Sequence, residues 1–424
     1  MLKGEKIRFD IHNILYSIYK YNKTLDNSDI KNIIKNNLEK DISFVNYVVL
    51  NSLRFHIHAI KILKQYIKKR TRDHEKILLI SAITQIVFLD IKEYAVINCS
   101  VEIAKKLKIY HGLINASLKQ IAINKKSLRN IKIEFNDLPH WFVNKVKELD
   151  DNERKDFIQN FFEKPDLHIV FKNKDKLKNF DQKIYLTSET SGFLIDKNTN
   201  GLENIKSYFN GDWWVQDFSS FFPLNNIQFV NKKMRFLDSC AAPGGKSFQI
   251  LSKKINITLN DKSKSRIEIL KNNLKRLRFK AKILNKDFIK LSSTQKYDFI
   301  IIDAPCSAVG TIRKNPEIFF KRKEPNFEYL IKVQEQMLNK ASLLVNSNGF
   351  ILYMVCSFIK NETENQIHKF LKNNNDFRLY DFTLNKKNMQ YKKLFKKKFM
   401  FTLPSKFFEY NIDGFFAAYL KKIK

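Results

Sequence analysis

The sequence predicts an all-helical domain followed by a doubly wound α/β domain, so its overall fold class is α/β. From about Ile7 to Ile123 the apolar residues recur at helical spacing, and glycine and proline are almost absent. From about Arg235 onward, short apolar runs typical of strands alternate with helical segments. This alternation predicts a mostly parallel sheet covered by helices. A length of 424 residues leaves room for roughly two or three domains.

In the helical part, apolar residues three and four positions apart predict helices that each turn one face to a core. The predicted helices run from about Asp41 to Arg54, Ile57 to Lys69, His74 to Leu89, Val101 to Leu107 and Leu113 to Ile123. Pro139 and Trp141 indicate one further short helix. The polar stretch from about Asp150 to Asp156 is interpreted as a connector.

Short apolar runs in the second part predict the strands of the sheet. These strands are Phe236-Leu237, Ile257 to Leu259, Ile283-Leu284, Phe299 to Ile302 and Phe350 to Val355. In an open parallel sheet, ligands bind in the crevice at the carboxyl ends of the strands. The polar motifs of this half follow the predicted strands directly, so we expect the functional residues at that edge of the sheet.

The charge of the chain indicates a polyanionic partner. Lysine and arginine number 77 against 43 aspartates and glutamates, which gives a formal net charge of +34. This surplus exceeds what solubility needs, and nucleic acid is the simplest partner. A composition biased toward Lys, Asn, Ile and Phe is the alternative explanation. The lysine-rich segment from Lys386 to Lys398 is interpreted either as a phosphate-contacting surface or as a solvated insertion.

Cysteine usage and the N-terminus indicate a reducing, aqueous compartment. The four cysteines lie far apart, without a CxxC pair, which argues against a zinc finger and against a disulfide framework. We therefore expect no metal. The N-terminus lacks the apolar region of a signal peptide, and the longest mostly apolar stretch, Ile77 to Leu89, is shorter than the ~20 residues of a membrane span. A cytoplasmic protein without membrane association is expected.

The first motif is LDSCAAPGGKS at residues 237–247, which follows a predicted strand and opens a helix. Its small residues and two glycines allow backbone amides to approach a ligand at a helix N-terminus. The pair Lys246-Ser247 resembles the end of a phosphate-binding loop, but Cys240 stands where that loop requires glycine. A nucleoside triphosphate is therefore disfavoured, and a tight turn without a ligand remains the alternative.

Two aspartates follow the next predicted strands. Asp261 ends the second strand, where a carboxylate in nucleoside-binding α/β folds accepts hydrogen bonds from the ribose hydroxyls. Capping of the helix that begins near Ser263 is the alternative role of Asp261. Asp287 follows the third strand, where it either meets an adenine amino group or lies in a solvated loop.

Two cysteines and a carboxylate follow two further strands. Asp303 and Cys306 come directly after the strand at 297–302, and Cys356 ends the strand that contains Val355. A lone cysteine at a strand end is usually an inert, small apolar residue. Two such cysteines beside a carboxylate and a glycine-rich turn indicate chemistry instead.

A thiol, an acid and a nucleoside-like cofactor together suit the methylation of a pyrimidine at carbon 5. A thiolate that adds to carbon 6 converts the ring into an enamine, which attacks an electrophilic methyl group. A carboxyl group hydrogen-bonded at N3 stabilises the developing charge, and a second group then removes the C5 proton. Asp303, Cys306 and Cys356 fit these roles.

Eight stretches of the chain resemble segments of one enzyme family. Five lie in the second half, namely WWVQDFSSFF (213–222), LDSCAAPGGKS (237–247), DAPCSAVGTIRKNPE (303–317), LYMVCSFIKNETE (352–364) and DGFFAAYLKK (413–422). Three lie in the helical half, namely ILLISAITQIVFL (77–89), EYAVINCSVEIAKKL (93–107) and GLINASLKQI (112–121). The first five resemble the motifs of the Sun-type (RsmB-like) ribosomal RNA cytosine-C5 methyltransferases. The other three resemble the NusB-like RNA-binding domain that these enzymes carry.

The resemblance implies a Rossmann-like S-adenosylmethionine-dependent methyltransferase domain preceded by an all-α NusB-like helical domain. We expect the NusB-like domain at 1–130, a connector and small RNA-contacting segment at 131–230, and the catalytic domain at 231–424. Cys356 would be the nucleophile, Cys306 would assist product release, and Asp303 would lie near the methyl donor and the base. The implied cofactor contacts are Cys240, Ala241, Ala242, Pro243, Gly244, Gly245, Lys246, Asp261, Asp287 and Asp303.

The expected activity is methyl transfer from S-adenosylmethionine to C5 of a cytosine in small-subunit ribosomal RNA, by a monomer without a metal. The open alternatives are a transfer RNA cytosine methyltransferase, a non-catalytic RNA-binding assembly factor, and a DNA cytosine methyltransferase with Cys306 as the nucleophile. The chain departs from the family pattern at Val355, Thr363, Ala308 and Lys314, where Thr, Asn, Gly and Arg are usual. We expect these departures to affect efficiency more than reaction type.

Overall fold

The computed structural model describes residues 3–37, 39–68, 70–196, 201–227, 229–292, 294–381, 386–396 and 398–423. The chain forms two compact units. One unit contains Met1–Phe162 together with Ile312–Pro325, and the other contains Glu163–Thr311 together with Asn326–Lys424. The first unit is thus built from two separate stretches of sequence. The predicted boundaries at residues 130 and 230 stay predictions.

The described part of the first unit is helical, as predicted. Its α-helices are Lys3–Tyr21, Ser28–Lys35, Glu39–Arg54, His56–Tyr66, Asp73–Ile83, Glu93–Lys106, His111–Ile123, Lys125–Leu128, His140–Lys145, Asp151–Asn160 and Glu317–Phe320. A π-helical turn, Thr84–Phe88, continues Asp73–Ile83, and Phe135–Asp137 forms a 3₁₀ turn. The helix predicted from His74 to Leu89 is therefore an α-helix that ends in a π-helical turn.

The core of the first unit follows from helical spacing. In the helix Lys3–Tyr21 the fully buried apolar residues are Ile11, Ile14, Leu15 and Ile18, which share one face. The separate stretch Ile312–Pro325 contributes to the same unit, because Phe320 is buried in this core cluster.

The stretch interpreted as a connector around Asp150 to Asp156 is a helix, so that interpretation was wrong. Asp150 is the N-cap of Asp151–Asn160, and its side chain accepts hydrogen bonds from the backbone amides of Asn152 and Glu153. The Glu153 side chain accepts in return from the backbone amide of Asp150, at 3.1 Å. This capping box stabilises a helix whose sequence is too polar to show an apolar stripe.

A small antiparallel sheet opens the second unit. Its strands are β1 (His168–Phe171), β2 (Ile184–Ser188), β3 (Ser191–Leu194) and β4 (Trp213–Val215), in the order β2-β3-β1-β4. The short helix Lys174–Lys178 follows β1, a 3₁₀ turn lies at Leu202–Asn204, and the helix Phe218–Asn225 follows β4. Buried His168 joins the strands, because its ring nitrogens lie 2.7 Å from the Gln216 carbonyl and 2.8 Å from the Thr187 hydroxyl.

Five parallel strands form the centre of the large sheet, as predicted. They are β5 (Phe236–Asp238), β6 (Ile257–Asn260), β7 (Lys282–Leu284), β8 (Tyr297–Asp303) and β9 (Val345–Val355). Their order is β7-β6-β5-β8-β9. The chain moves outward from β5 through β6 to β7 and then crosses to β8 on the other side of β5. Ligands bind beside the carboxyl ends of strands at such a reversal of strand order.

Six further strands form among the described C-terminal residues. Four of them extend this sheet in the antiparallel sense, and two form a separate sheet. The six strands are β10 (Phe377–Leu379), β11 (Phe395–Lys396), β12 (Phe399–Thr402), β13 (Ser405–Phe407), β14 (Tyr410–Ile412) and β15 (Phe415–Lys422). Strand β15 pairs with β9, so the predicted terminal strand lies beside the strand that carries Cys356. Strands β10 and β12 pair with β15, β11 pairs with β12, and β13 and β14 form a hairpin.

Helices cover both faces of the large sheet. They are Gly245–Ser252, Lys264–Arg276, Phe327–Leu344 and Glu364–Asn373, with 3₁₀ turns at Phe288–Lys290, Val309–Thr311, Lys360–Glu362 and Lys386–Leu394. Phe236 and Leu237, which are neighbours on β5, belong to different core clusters, as the alternation of side chains along a strand requires. The lysine-rich segment begins with the last of these 3₁₀ turns, and its Lys397 lies outside the described residues.

Candidate active site

A tight turn joins β5 to the helix Gly245–Ser252. Gly244 in this turn has φ +121°, a conformation that residues with a side chain rarely adopt. A Cβ atom at Gly244 would lie 2.0 Å from Cζ of Phe248. The position therefore requires glycine, and the turn leads directly into the N-terminus of the helix.

Asp238, at the end of β5, is buried beneath the turn. Its carboxylate accepts hydrogen bonds from the Ser247 hydroxyl at 2.6 Å and from the Cys240 amide at 3.3 Å. Burial raises the pKa of Asp238 to about 6. The carboxylate thus ties both ends of the turn to the strand, and its ionised form is the less favourable one in this environment.

Asp261 lies where the sequence predicts it, directly after β6. Its carboxylate accepts from the Ala242 amide at 3.3 Å and from the Ser263 amide at 2.9 Å. Ser263 is the N-cap of the following helix. Asp261 therefore does not have the alternative role of capping that helix. An aspartate carboxylate has about four acceptor sites, which leaves capacity for a ligand.

Asp287 is an exposed residue after β7. Its side chain accepts from the Ile289 amide at 3.0 Å and caps the 3₁₀ turn Phe288–Lys290. Asn260 connects this loop to the end of β6, because its side chain binds the backbone of Lys286 through both the amide and the carbonyl group. Asp287 is thus held at the sheet edge by this cap.

Lys246 and Asp303 form an ion pair at the carboxyl edge of the sheet. The Lys246 Nζ lies 2.7 Å from Oδ2 of Asp303, and it also lies over the ring of Phe415 at 5.6 Å. Burial lowers the pKa of Lys246, but the pairing with Asp303 outweighs burial and raises the pKa overall. The ammonium group therefore keeps its charge and orients the carboxylate.

The two cysteines predicted to act together are in contact. Sγ of Cys306 lies 3.4 Å from Sγ of Cys356, and both side chains are partly exposed. The hydrogen bond with Cys356, followed by burial, raises the pKa of the Cys306 thiol well above its usual value. Cys306 is thus a protonated thiol beside Cys356.

Cys240 differs from this pair. Burial, together with the carboxylates of Asp303, Asp238 and Asp261, raises the pKa of Cys240 to about 12. A thiol with so high a pKa is a poor nucleophile at neutral pH. The side chain of Cys240 is therefore a part of the turn and not a reacting group.

Gly310 and Gly414 bring three of the sequence motifs into backbone contact near Cys356. The Gly310 amide donates to the Cys356 carbonyl at 3.1 Å, and the Gly414 amide donates to the Gly310 carbonyl at 2.8 Å. A Cβ atom at Gly310 would lie 1.9 Å from the Gly414 carbonyl oxygen. This backbone approach fixes the position of Cys356 relative to the loop after β8.

Sequence analysis missed the role of Glu362. This residue is fully buried, and its carboxylate contacts Ser307 and Ser357, the residues that follow the two cysteines. The stretch after β9 contains both Glu362 and Glu364, and the sequence does not indicate which carboxylate is buried. The serine that follows each cysteine was the sequence feature that could have indicated a shared hydrogen-bond partner.

Three of the four positions that depart from the family pattern have environments that the structure identifies. Val355 is fully buried in β9, where a methyl group replaces a hydroxyl. Ala308 has φ +58°, so the structure places an L-residue where glycine is the favoured residue. The Thr363 hydroxyl donates to the Ile359 carbonyl at 3.1 Å.

Among the described residues, no group of three or more His, Cys, Asp or Glu side chains could hold a metal ion.

Comparison with protein families finds one match in each half of the chain. Residues 227–421 match the family model described as 16S rRNA methyltransferase RsmB/F, and residues 7–123 match the NusB family. Residues 227–421 thus form a methyltransferase domain of the RsmB/F type. The chain carries a NusB-family domain ahead of the methyltransferase domain, which confirms the predicted fold and domain order.

Two named relatives are similar to the chain in sequence, and two solved structures are similar to it in fold. The chain is 27% identical to ribosomal RNA small subunit methyltransferase B of Pasteurella multocida over 392 residues, which is 85% of this chain and 84% of that protein. It is 28% identical to the protein of the same name from Shewanella oneidensis, over 71% of this chain and 74% of that protein. The crystal structure of PH0851 superposes with a TM-score of 0.71 at 20% identity, covering 100% of this chain and 99% of the other. NSun6 from Pyrococcus horikoshii superposes with a TM-score of 0.55 at 18% identity, covering 67% and 97%.

The chain is therefore a methyltransferase that uses S-adenosylmethionine. The donor set fits this cofactor, because the Ala242 amide of the glycine turn lies 3.3 Å from the carboxylate of Asp261, which follows the second strand. The ion pair of Lys246 and Asp303 and the two thiols lie after the neighbouring strands. None of the described helices is both long enough and apolar enough to cross a membrane.

Proposed function

We propose that this methyltransferase modifies C5 of a cytosine in small-subunit ribosomal RNA through a covalent bond between the Cys356 sulfur and C6 of the ring. The observation that carries the proposal is the 3.4 Å contact between the thiols of Cys306 and Cys356. Two thiols in contact beside a carboxylate suit a reaction in which one sulfur adds to the ring and a second group completes the elimination. Asp303, with its partner Lys246, is that carboxylate.

The substrate class is supported by the relatives and by charge. The Pasteurella multocida and Shewanella oneidensis proteins bear the name ribosomal RNA small subunit methyltransferase B. The net charge of +34 favours a polyanion, and the NusB-family domain favours RNA over DNA. The target cytosine must leave its stack to reach the thiols, so it lies in an unpaired or extruded position when it reacts.

S-adenosylmethionine supplies the electrophilic methyl group. Residues 240–246, Asp261 and Asp287 hold the cofactor in this proposal, with backbone amides of the turn and the Asp261 carboxylate as the contacting groups. Asp303 lies between this cofactor region and the thiols along the sheet edge, next to Lys246. Its place near both the methyl donor and the base follows from that position.

Cys356 forms the bond to C6, and this addition places negative charge on the base at N3. The ammonium of Lys246 lies 2.7 Å from the Asp303 carboxylate. The pair therefore presents a proton at the position where N3 becomes basic, which lowers the energy of the adduct. After C5 has gained the methyl group, the C5 proton leaves and the C6–S bond breaks.

Cys306 accepts the C5 proton in this scheme. In the resting protein, the hydrogen bond with Cys356 is the largest cause that raises the pKa of the Cys306 thiol. Once the Cys356 sulfur is a thioether on the ring, the charge of its thiolate is absent and the Cys306 proton is more easily lost to solvent. The resulting Cys306 thiolate can take the C5 proton, and elimination regenerates the Cys356 thiolate.

Methyl transfer with product identification tests the reaction and the substrate. The full-length protein is incubated with methyl-labelled S-adenosylmethionine and, in parallel, small-subunit ribosomal RNA, transfer RNA and DNA. We expect 5-methylcytidine in the ribosomal RNA alone, identified by nucleoside mass spectrometry. Product in transfer RNA alone would make the chain a transfer RNA enzyme. No product on any substrate, including assembling ribosomal particles, would favour a non-catalytic assembly factor.

Cysteine variants test the assignment of roles. We expect Cys356→Ala to abolish turnover, and Cys306→Ala to accumulate a protein–RNA adduct that survives a denaturing gel. Cys99→Ala is the matched control, because Cys99 lies in the helical unit and its loss should leave turnover unchanged. An adduct in Cys356→Ala and none in Cys306→Ala would reverse the roles of the two thiols.

A further inference from the structure

A buried carboxylate connects the two loops that carry the thiols. Oε2 of Glu362 accepts from the Ser307 hydroxyl at 2.5 Å and from the Ser357 hydroxyl at 2.6 Å. Oε1 accepts from the Ser307 amide at 2.8 Å and from the Gln334 side chain at 3.2 Å. One carboxylate thus holds the residue after Cys306 and the residue after Cys356 at the same time.

A second layer of hydrogen bonds holds this carboxylate in place. The Gln334 side-chain amide also donates to the Pro305 carbonyl at 2.9 Å, so it fixes the residue before Cys306 as well. The Gln366 side chain donates to Oε1 of Gln334 at 3.1 Å. The Tyr353 hydroxyl donates to the Glu362 carbonyl at 2.7 Å and anchors its backbone to β9. The network therefore joins the two loops to β9 and to the helices Phe327–Leu344 and Glu364–Asn373.

The network places the carboxyl group of Glu362 in the protein interior. Glu362 is 0% exposed, and the four donors to its side chain are neutral groups. Burying a carboxylate is costly unless several hydrogen bonds compensate it. Four hydrogen bonds to one buried side chain suit a residue that holds two loops at a set spacing.

We propose that Glu362 is a positioning residue that sets the distance between the Cys306 and Cys356 thiols. This inference rests on the function proposed above, because it assigns the purpose of the spacing to the two-thiol reaction. The serines adjacent to the cysteines transmit the position of the carboxylate to the thiols, which lie 3.4 Å apart. A misplacement of a reacting group by about 1 Å can cost about a hundredfold in rate.

Thiol cross-linking measures this spacing without RNA or cofactor. Diamide oxidises two adjacent thiols to a disulfide, takes up their two electrons and two protons, and becomes the corresponding hydrazine. The yield of the Cys306–Cys356 disulfide against time is read by peptide mass spectrometry. In Glu362→Ala the carboxylate is absent and we expect cross-linking to slow by about tenfold or more, since the two thiols are no longer held together. We expect kcat to fall by about a hundredfold, with S-adenosylmethionine affinity unchanged in calorimetry.

A conservative variant and a matched control separate positioning from folding. In Glu362→Gln the amide oxygen can accept from the Ser307 amide and Gln334, and the amide NH₂ can donate to the two serine hydroxyls, which rotate to accept. We expect this variant to restore cross-linking to within about threefold of wild type. Glu364→Gln removes a nearby carboxylate that lies outside the network, and we expect it to cross-link as wild type does. Ser357→Ala removes one bond, and we expect cross-linking to slow by about fivefold.

Cross-linking at the wild-type rate in both Glu362→Ala and Ser357→Ala overturns the inference. Should Glu362→Ala fail to fold, as judged by its melting transition, Ser357→Ala and Glu362→Gln alone decide the question by the same rates. If no RNA is methylated but cross-linking follows the expected order, the positioning role stands and the proposed function fails. If 5-methylcytidine forms and all variants cross-link equally, the function stands and the positioning role fails.

Discussion

Replacing Gly310 with alanine tests the backbone contact that fixes Cys356. The Gly310 amide donates to the Cys356 carbonyl at 3.1 Å, and the Gly310 carbonyl accepts from the Gly414 amide at 2.8 Å. An added Cβ would lie 1.9 Å from the Gly414 oxygen and 2.5 Å from the Gly414 carbonyl carbon. Both atoms are backbone, so the clash cannot be relieved by a side-chain rotation and the two segments must separate.

The magnitude follows from the size of the clash. Overpacking by one carbon typically costs about 1–3 kcal/mol, and a contact more than an ångström too short lies toward the upper half of that range. For a unit of this size, about 2–4 °C of melting temperature corresponds to 1 kcal/mol, so a cost of about 2 kcal/mol lowers the transition by about 4–8 °C. Separation of the segments also moves the Cys356 backbone, and a shift of about 1 Å would reduce kcat by about a hundredfold.

Differential scanning calorimetry and the methyl-transfer assay together measure both effects. Gly4→Ala is the control, because a Cβ there would meet its nearest neighbour, Nη1 of Arg8, at an ordinary 3.6 Å. We expect Gly4→Ala to melt at or slightly above the wild-type temperature, since alanine favours a helix over glycine. A Gly310→Ala protein that melts with wild type and retains wild-type kcat would refute the argument that this approach requires glycine.

Two further predictions concern residues beside the turn and the thiols. Ala308 has φ +58°, and a left-handed conformation costs an L-residue about 1–2 kcal/mol. We expect Ala308→Gly to raise the melting temperature by about 1–3 °C, after the greater freedom of glycine in the unfolded chain offsets part of the gain. Burial raises the pKa of Asp238 to about 6. The stability that protonated Asp238 contributes is present below the unfolded pKa of about 3.9 and is lost as pH rises through about 6. Asp238→Asn stays neutral at every pH. We expect its free energy of unfolding, relative to that of wild type, to rise by about 3 kcal/mol between pH 4 and pH 8.

Matched measurements check these two predictions. For Ala308, the control is Asn348→Gly, since Asn348 has φ +61° but asparagine tolerates that conformation better than alanine does. A melting temperature that falls in Ala308→Gly would show that the left-handed conformation costs the native residue little. For Asp238, melting temperatures of wild type and Asp238→Asn are compared across pH. A difference between them that stays constant from pH 4 to pH 8 would contradict the raised pKa.

Much of the catalytic sheet could be predicted from the sequence because its signals are local. Short apolar runs marked β5 to β9, and small or polar residues marked the points where these strands end. The carboxyl ends of parallel strands meet at one edge, so Asp303, Cys306 and Cys356 could be placed at that edge from the predicted strands. The contact between the two thiols, at 3.4 Å, agrees with that placement.

The parts that sequence analysis missed depend on contacts between distant residues. The strands β1 to β4 are short, and each is stabilised by its neighbours in the sheet, so no single run stands out from its surroundings. Glu362 and Glu364 look alike in sequence, and only the folded loops show that Glu362 is buried. The helix Asp151–Asn160 was missed for another reason, since the capping box of Asp150 and Glu153 was a local signal that its polar composition obscured.

The same limit applies to the stretch Ile312–Pro325. In sequence it continues the motif that begins at Asp303, but in the structure its aromatic residues pack within the helical unit. The ring of Phe319 lies 4.7 Å from that of Phe142 and 5.9 Å from that of Trp141. Nothing in the local pattern distinguishes these phenylalanines from those of the catalytic sheet.

This division of the helical unit has a consequence for synthesis of the chain. The residues of Met1–Phe162 emerge from the ribosome first. Phe319 and Phe320, which pack in the interior of the same unit, are synthesised much later. The unit therefore cannot complete its interior until strands β1 to β8 have also emerged. An N-terminal fragment that stops at Phe162 would leave an apolar site uncovered, which exposes nascent chains and truncated products to aggregation.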